Sequence, residues 1–289
     1  MLAKFSVDNA LMKANTHIKN NEIAEAHELY QAVLRAFPKN IRAQKGLATL
    51  HNHTQNIARQ APLSELIKNL INLYNQRQLD EVVKQAKSIT KQYPQAFVVW
   101  NILGAANNGL GIVREASEAF KKVTELNPNY ADGFNNLGVT LKDLSKLDEA
   151  INAFKKAIAL KPDYPDAYNN MGNALKHQNR FDEAIEAYKK ALELRPHYAE
   201  AYNNIGVALK NLGKLEEATD AYKKAISIEP NYADAYYNFG VICNMQSNLE
   251  EAIKAYDKVV LLQPNYVEAF NNKGDILHIQ GKLDEAIEA

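Results

Sequence analysis

The chain of 289 residues has a single cysteine, a single tryptophan and no net charge, with 34 basic residues set against 34 acidic ones. A lone cysteine, Cys243, excludes an internal disulfide framework and a zinc site built on several thiolates. Balanced charge gives no field that would favour nucleic acid or an anionic membrane. No apolar run approaches the roughly 18 residues that a membrane helix needs. The opening Met-Leu-Ala-Lys-Phe-Ser-Val-Asp carries Lys4 and Asp8 and no apolar stretch of signal-peptide length. These absences predict a soluble protein of a reducing compartment, the cytoplasm, with neither membrane nor nucleic acid among its partners. Hydrophobic residues at 46% and charged residues at 24% argue against disorder.

Glycine and proline are also scarce, at 12 and 9 residues, but they are periodic. Pro94, Pro128, Pro162, Pro196, Pro230 and Pro264 stand 34 residues apart. Gly104, Gly138, Gly172, Gly206, Gly240 and Gly274 keep the same step, as do Ala116, Ala150, Ala184, Ala218, Ala252 and Ala286. Three independent rows with one period define a repeat, and a repeat decides the architecture before any division by length.

The unit 131–164 shows the physics. Apolar residues recur at spacings of three and four through 132–144 and 148–160, which predicts two amphipathic helices. Ser145 lies between them, and its place is taken elsewhere by Gly111, Asn179, Gly213, Ser247 and Gly281. Glycine or asparagine there suits the left-handed residue that ends a helix. Asp148 and Glu149 then favour the next N-terminus, and Pro162 stops the second helix. Gly138 and Ala150 are small enough to let the two helices approach closely. Phe134, Leu137, Leu141, Phe154, Ala157 and Leu160 are the expected remainder of the core. One hairpin cannot bury that face alone, so neighbours stack.

The segments Ala-Tyr-Asn-Asn-Ile-Gly (201–206), Gly-Lys-Leu-Glu-Glu-Ala (213–218), Ala-Tyr-Lys-Lys-Ala (221–225) and Glu-Pro-Asn-Tyr (229–232) resemble the tetratricopeptide repeat. The resemblance implies an all-α, right-handed α-solenoid, a superhelix of helix-turn-helix repeats. On that reading the units are 97–130, 131–164, 165–198, 199–232 and 233–266, with a partial unit at 267–289. The unit 63–96 is looser, having Asn69 and Leu70 where the others have Leu and Gly. Ala26, Tyr30, Val33 and Pro38 fit a further hairpin over about 7–40, within an N-terminal module 1–50. The polar run from His51 to Pro62 reads as a joint (51–62) before the array 63–289. Ala289 falls inside a second helix with no capping helix after it, which points to a fragment of a longer protein.

Phe134, Leu137, Gly138 and Leu141 form one stripe of the first helix. Asp132, Asn135, Asn136, Val139, Lys142 and Asp143 lie opposite, on the side that in tetratricopeptide arrays lines the concave groove. Two asparagine rows stand there: Asn136, Asn170, Asn204, Asn238 and Asn272, and beside them Asn135, Asn169 and Asn203, with Asn271. Asparagine is a poor interior helix former. One reading is a ladder of amides gripping an extended peptide, each with a donor and an acceptor. The other is that the amides tie one helix to its neighbour, or record repeat duplication. The first row is similar to the asparagine ladder of the O-linked N-acetylglucosamine transferases, with Ile102 breaking it upstream. The chaperone-binding members of the family clamp a C-terminal carboxylate with groove lysines and arginines. Here the flanking row is acidic (Asp132, Asp166, Glu200, Asp234 and Glu268), which disfavours such a tail.

Other signals are weaker. Lys121-Lys122, Lys155-Lys156, Lys189-Lys190 and Lys223-Lys224 read as a solvated outer face, offset by nearby acids. His51 and His53 are a poor metal pair, and Gly109-Leu110-Gly111 is an inter-helix turn rather than a phosphate loop. Cys243 replaces a core leucine, and Tyr130, Tyr164, Tyr198, Tyr232 and Tyr266 are read as packing residues. With no catalytic set in view, no enzyme activity, metal or cofactor is expected. The expected partner is an extended peptide or protein segment. Two further readings stay open: the substrate-recruiting arm of a glycosyltransferase or sulfotransferase continuing past Ala289, and self-association through the uncapped last hairpin.

Overall fold

The computed structural model describes residues 7–20 and 22–288, without the side chains of 51–62, 285, 287 and 288. These residues form sixteen helices and no strand. Their contacts divide the chain into two units, one of residues 1–78 with 91–93, the other of residues 79–90 with 94–289.

The first unit contains α1 (Val7–Lys19), α2 (Ile23–Ala36) and α3 (Ile41–Asn75). Ala10, Leu11, Ala14, Ala26, Tyr30, Val33, Ala43 and Leu50 make its core. The Tyr30 hydroxyl donates to Asn15 Oδ1 at 2.8 Å. Asn40 caps α3, its Oδ1 accepting from the Ala43 N–H at 3.0 Å. Residues 51–62, expected as a polar joint, are helical in backbone within α3. Polar residues such as His51 and Asn52 are poor helix formers without being breakers, and polarity alone does not interrupt the hydrogen-bond ladder. The side chains of His51 and His53 lie outside the described residues.

The second unit holds α4 (Leu79–Gln92) and six hairpins. These are α5/α6 (Phe97–Gly109, Val113–Leu126), α7/α8 (Ala131–Asp143, Leu147–Leu160) and α9/α10 (Pro165–His177, Phe181–Leu194). They continue as α11/α12 (Ala199–Asn211, Leu215–Ile228), α13/α14 (Ala233–Met245, Leu249–Leu262) and α15/α16 (Val267–Ile279, Leu283–Glu288). Each second helix packs on the next first helix, and α7, α9, α11 and α13 also touch in sequence, so first helices share one face.

The turns repeat as the sequence predicts. Ser145 sits at φ 59° and Asn179 at φ 58°. Around Ser145 the Lys146 N–H donates to Leu141 O at 2.9 Å and the Ser145 N–H to Lys142 O at 2.8 Å, the pair of bonds that closes a Schellman motif. The glycine row has a more specific role than close helix approach. A Cβ on Gly138 would enter the Phe154 ring, and Gly172, Gly206 and Gly240 stand in the same way against Tyr188, Tyr222 and Tyr256. The missing side chain is the seat of an aromatic ring sixteen residues later. Leu160, expected in the core, is 40% exposed because it ends α8 beyond the last packed turn. Cys243 is buried as expected, and burial pushes its thiol up.

Candidate functional site: the first-helix face of the array

The two asparagine rows are one structure. Asn170 Nδ2 donates to Asn135 Oδ1 at 3.1 Å, Asn204 Nδ2 to Asn169 Oδ1 at 3.2 Å, and Asn238 Nδ2 to Asn203 Oδ1 at 3.0 Å. Asn170, Asn204 and Asn238 therefore each reach back to the second-row amide of the preceding repeat. Asn135, Asn169, Asn203 and Asn204 are buried, at 7%, 1%, 6% and 7% exposure, whereas Asn136, Asn170, Asn238 and Asn272 are half-buried. Val139, placed by the helical wheel on the free side, is half-buried and packs against the core cluster. The wheel treats a helix alone, whereas α7 stands in contact with α9.

The rows end differently. Tyr237 takes the second-row place in its repeat, and Asn272 Nδ2 donates to the hydroxyls of Tyr237 and Tyr256 at 3.3 and 3.5 Å. Upstream, Asn101 Oδ1 is buried without a partner.

In the middle the amides join two charges. Lys176 Nζ donates to Asn204 Oδ1 at 3.0 Å, Asn204 to Asn169, and Asn169 Nδ2 to Glu200 Oε1 at 2.9 Å. All three donors point the same way, from cation to anion, so each bond polarises the next. Burial lowers the Lys176 pKa, opposed by Glu200 and assisted by Lys142. His177 is lowered by burial and then by the same two lysines, Lys176 and Lys142.

The tyrosines do more than pack. Tyr198 donates to Asp166 Oδ1 at 3.1 Å, and Arg195 grips both oxygens of Asp166 at 2.8 and 3.1 Å. Tyr266 reaches Asp234 at 3.5 Å, and Asp132 adds to burial in pushing the Tyr164 hydroxyl up. Burial, followed by neighbouring carboxylates, pushes Tyr232 and Tyr266 up to about 12. The signal was present in the sequence as two rows at one 34-residue period; only the fold shows that the tyrosine closing a repeat falls beside the acid that opens the same repeat. Among the described residues no three His, Cys, Asp or Glu side chains gather as a metal site, and no helix is long and apolar enough to cross a membrane.

Helical hairpins of one length, stacked so that first helices build a shared face, define an α-solenoid of two-helix repeats. The profiles of the tetratricopeptide repeat match residues 119–152, 140–179, 172–213, 199–232, 221–254 and 255–288, and again 11–66. The chain belongs to the tetratricopeptide repeat family. No curated protein matches it. Among solved structures, MamA is 29% identical over 57% of this chain and 97% of its own, with a TM-score of 0.51. YrrB, described as a TPR protein with an unusual peptide-binding site, is 23% identical over 65% of this chain and 97% of its own, TM-score 0.50. The Cut9–Hcn1 hetero-tetramer of the APC/C aligns over 94% of this chain and 56% of its own, at 18% identity and TM-score 0.65.

Proposed function

We propose that the first-helix face of the array, the concave groove of this family, binds an extended segment of another polypeptide, and that the chain serves as an interaction scaffold without catalytic chemistry of its own. The observation that carries this reading is the half-buried row Asn136, Asn170, Asn238 and Asn272, repeated at one place per hairpin. A side-chain amide has two hydrogens and a two-lone-pair acceptor. The bond from Asn170 or Asn238 to the preceding repeat uses one hydrogen and leaves the rest for a peptide backbone. That bond also fixes Asn170 and Asn238 in place before a ligand arrives, which lowers the ordering cost of binding. Asn204 contributes less, since Lys176 already occupies its carbonyl oxygen, and Asn135, Asn169 and Asn203 act through the amides they hold. Spacing supports the reading: helices about 10 Å apart match about three residues of extended chain at roughly 3.3 Å each. The peptide-binding description of YrrB lends support from a neighbour of the same fold.

A peptide selected on the wild-type chain from a random display library provides the test. With a benzophenone side chain placed at Val139 or Val207, the peptide crosslinks on irradiation; placed at the outer Lys224, it does not. Crosslinking at Lys224 alone would abandon the groove. The variant Asn136→Ala/Asn170→Ala/Asn238→Ala, with its helical spectrum intact, weakens binding roughly tenfold or more, since each net bond is worth about 0.5–1.5 kcal/mol.

A further inference from the structure

The two edges of this face carry opposite charges, and they are in different states. Asp132, Asp166, Glu200, Asp234 and Glu268 stand in the first turns of α7, α9, α11, α13 and α15. Lys142, Lys176 and Lys210 stand in the last turns of α7, α9 and α11, about 15 Å away along helices that rise about 1.5 Å per residue. Helix dipoles account for that placement but not for the different bonding of the two edges. Much of the acidic edge is engaged: Asp166 by Arg195 and Tyr198, Glu200 by Asn169, and Asp234 by Tyr266. Asp132 stands beside Tyr164, and Glu268 takes no such bond among the described residues. The basic edge is only partly neutralised. Lys142 meets only its chain neighbour Asp143, at 3.2 Å. Lys176 is held by a neutral amide, and Lys210 pairs with no carboxylate among the described residues. After burial and against the pull of Glu200, Lys142 disfavours the charge of Lys176, and both lysines disfavour that of His177. The remaining groups at this edge, Asn211, Asn244 and His278, carry no negative charge.

We infer that the polypeptide taken by this face is acidic, its side-chain carboxylates meeting Lys142, Lys176 and Lys210 while its backbone lies along the asparagine row. The inference rests on the peptide-binding reading of this face and reverses the expectation drawn from the acidic row. Three of that row are already bonded within the fold, whereas Lys176 is held by a neutral amide and Lys210 is paired with no carboxylate among the described residues. The repeat spacing sets the pattern: one acidic residue in every third position of an extended segment.

The test uses the whole chain and labelled peptides of equal length, one with Glu at every third position and one with Gln there, read by fluorescence anisotropy. The Glu peptide binds on the order of tenfold more tightly at low salt, from three ion pairs of modest individual strength, and the advantage shrinks as salt is added. Lys142→Gln/Lys210→Gln, which leaves the Lys176–Asn204 bond in place, removes most of the advantage and leaves the Gln peptide's affinity unchanged. Lys210→Gln alone, at a site with no intramolecular ion pair to lose, removes part of it and separates binding from folding. Equal affinity for the two peptides overturns this inference while the groove reading stands; binding of neither removes both. A single-stranded oligonucleotide of the same charge, bound as tightly and with the same lysine dependence, also overturns it.

Discussion

The hairpins 97–130 and 165–198 have the same helices, the same turn and the same ring seated on a glycine, yet their polar side chains are in opposite condition. In the later hairpin Asn169 accepts from Asn204 and donates to Glu200, and the Tyr188 hydroxyl donates to Asn173 at 2.8 Å. In the earlier one Asn101 Oδ1 is buried without a partner, and Asn107, 1% exposed where other units place Leu141, Leu175 and Leu209, has neither side-chain atom bonded. The apolar frame is thus common to both, while the amides contribute only where the neighbouring repeat completes them. A buried polar group is an asset when paired and a cost when orphaned.

Four tests can break or sharpen that comparison. If the apolar frame is shared, Phe120→Ala and Tyr188→Ala each cost about 3–5 kcal/mol by chemical denaturation; a clear difference between them would mean that the frames differ as well. Asn169→Ala, which removes two bonds, one to a carboxylate, and strands Asn204, is expected to cost about 2–3 kcal/mol. Asn101→Ala is neutral or stabilising in the same assay, and equal losses would end the contrast. Asn107→Leu removes two orphaned atoms and restores the residue type of the other repeats, raising stability by about 1–2 kcal/mol and raising Tm. The smallest effect separates two tyrosines. The Tyr222 hydroxyl is buried and unpartnered, with Val207 where the Tyr188 repeat has Asn173. Tyr222→Phe gains up to about 1 kcal/mol and Tyr188→Phe loses about as much; the same sign in both contradicts the account.

The repeat and its turns were legible in the sequence because proline, glycine and a left-handed residue act locally, through φ and the hydrogen bonds of one turn. Cys243 was legible for a related reason, as one substitution in a regular row. What was not legible depends on which repeat faces which. Nothing in Asn169-Asn170 alone shows that its two members bond in opposite directions, Asn169 to the following repeat and Asn170 back across 35 residues. The acidic row reads as exposed charge until Tyr198 and Arg195 close on Asp166. Residues 51–62 read as a joint because composition registers polarity, while the helix α3 is set by backbone bonding.

The claim that the first-helix face binds a polypeptide is tested most directly by the side-chain amide signals of asparagine in a ¹⁵N–¹H spectrum during titration with a bound peptide. The account predicts that Asn136, Asn170, Asn238 and Asn272 shift together and saturate with one dissociation constant, while Asn152 on α8, on the opposite face, stays in place. Shifts confined to Asn152 and the second helices, with the first-row amides unmoved at saturation, would contradict it.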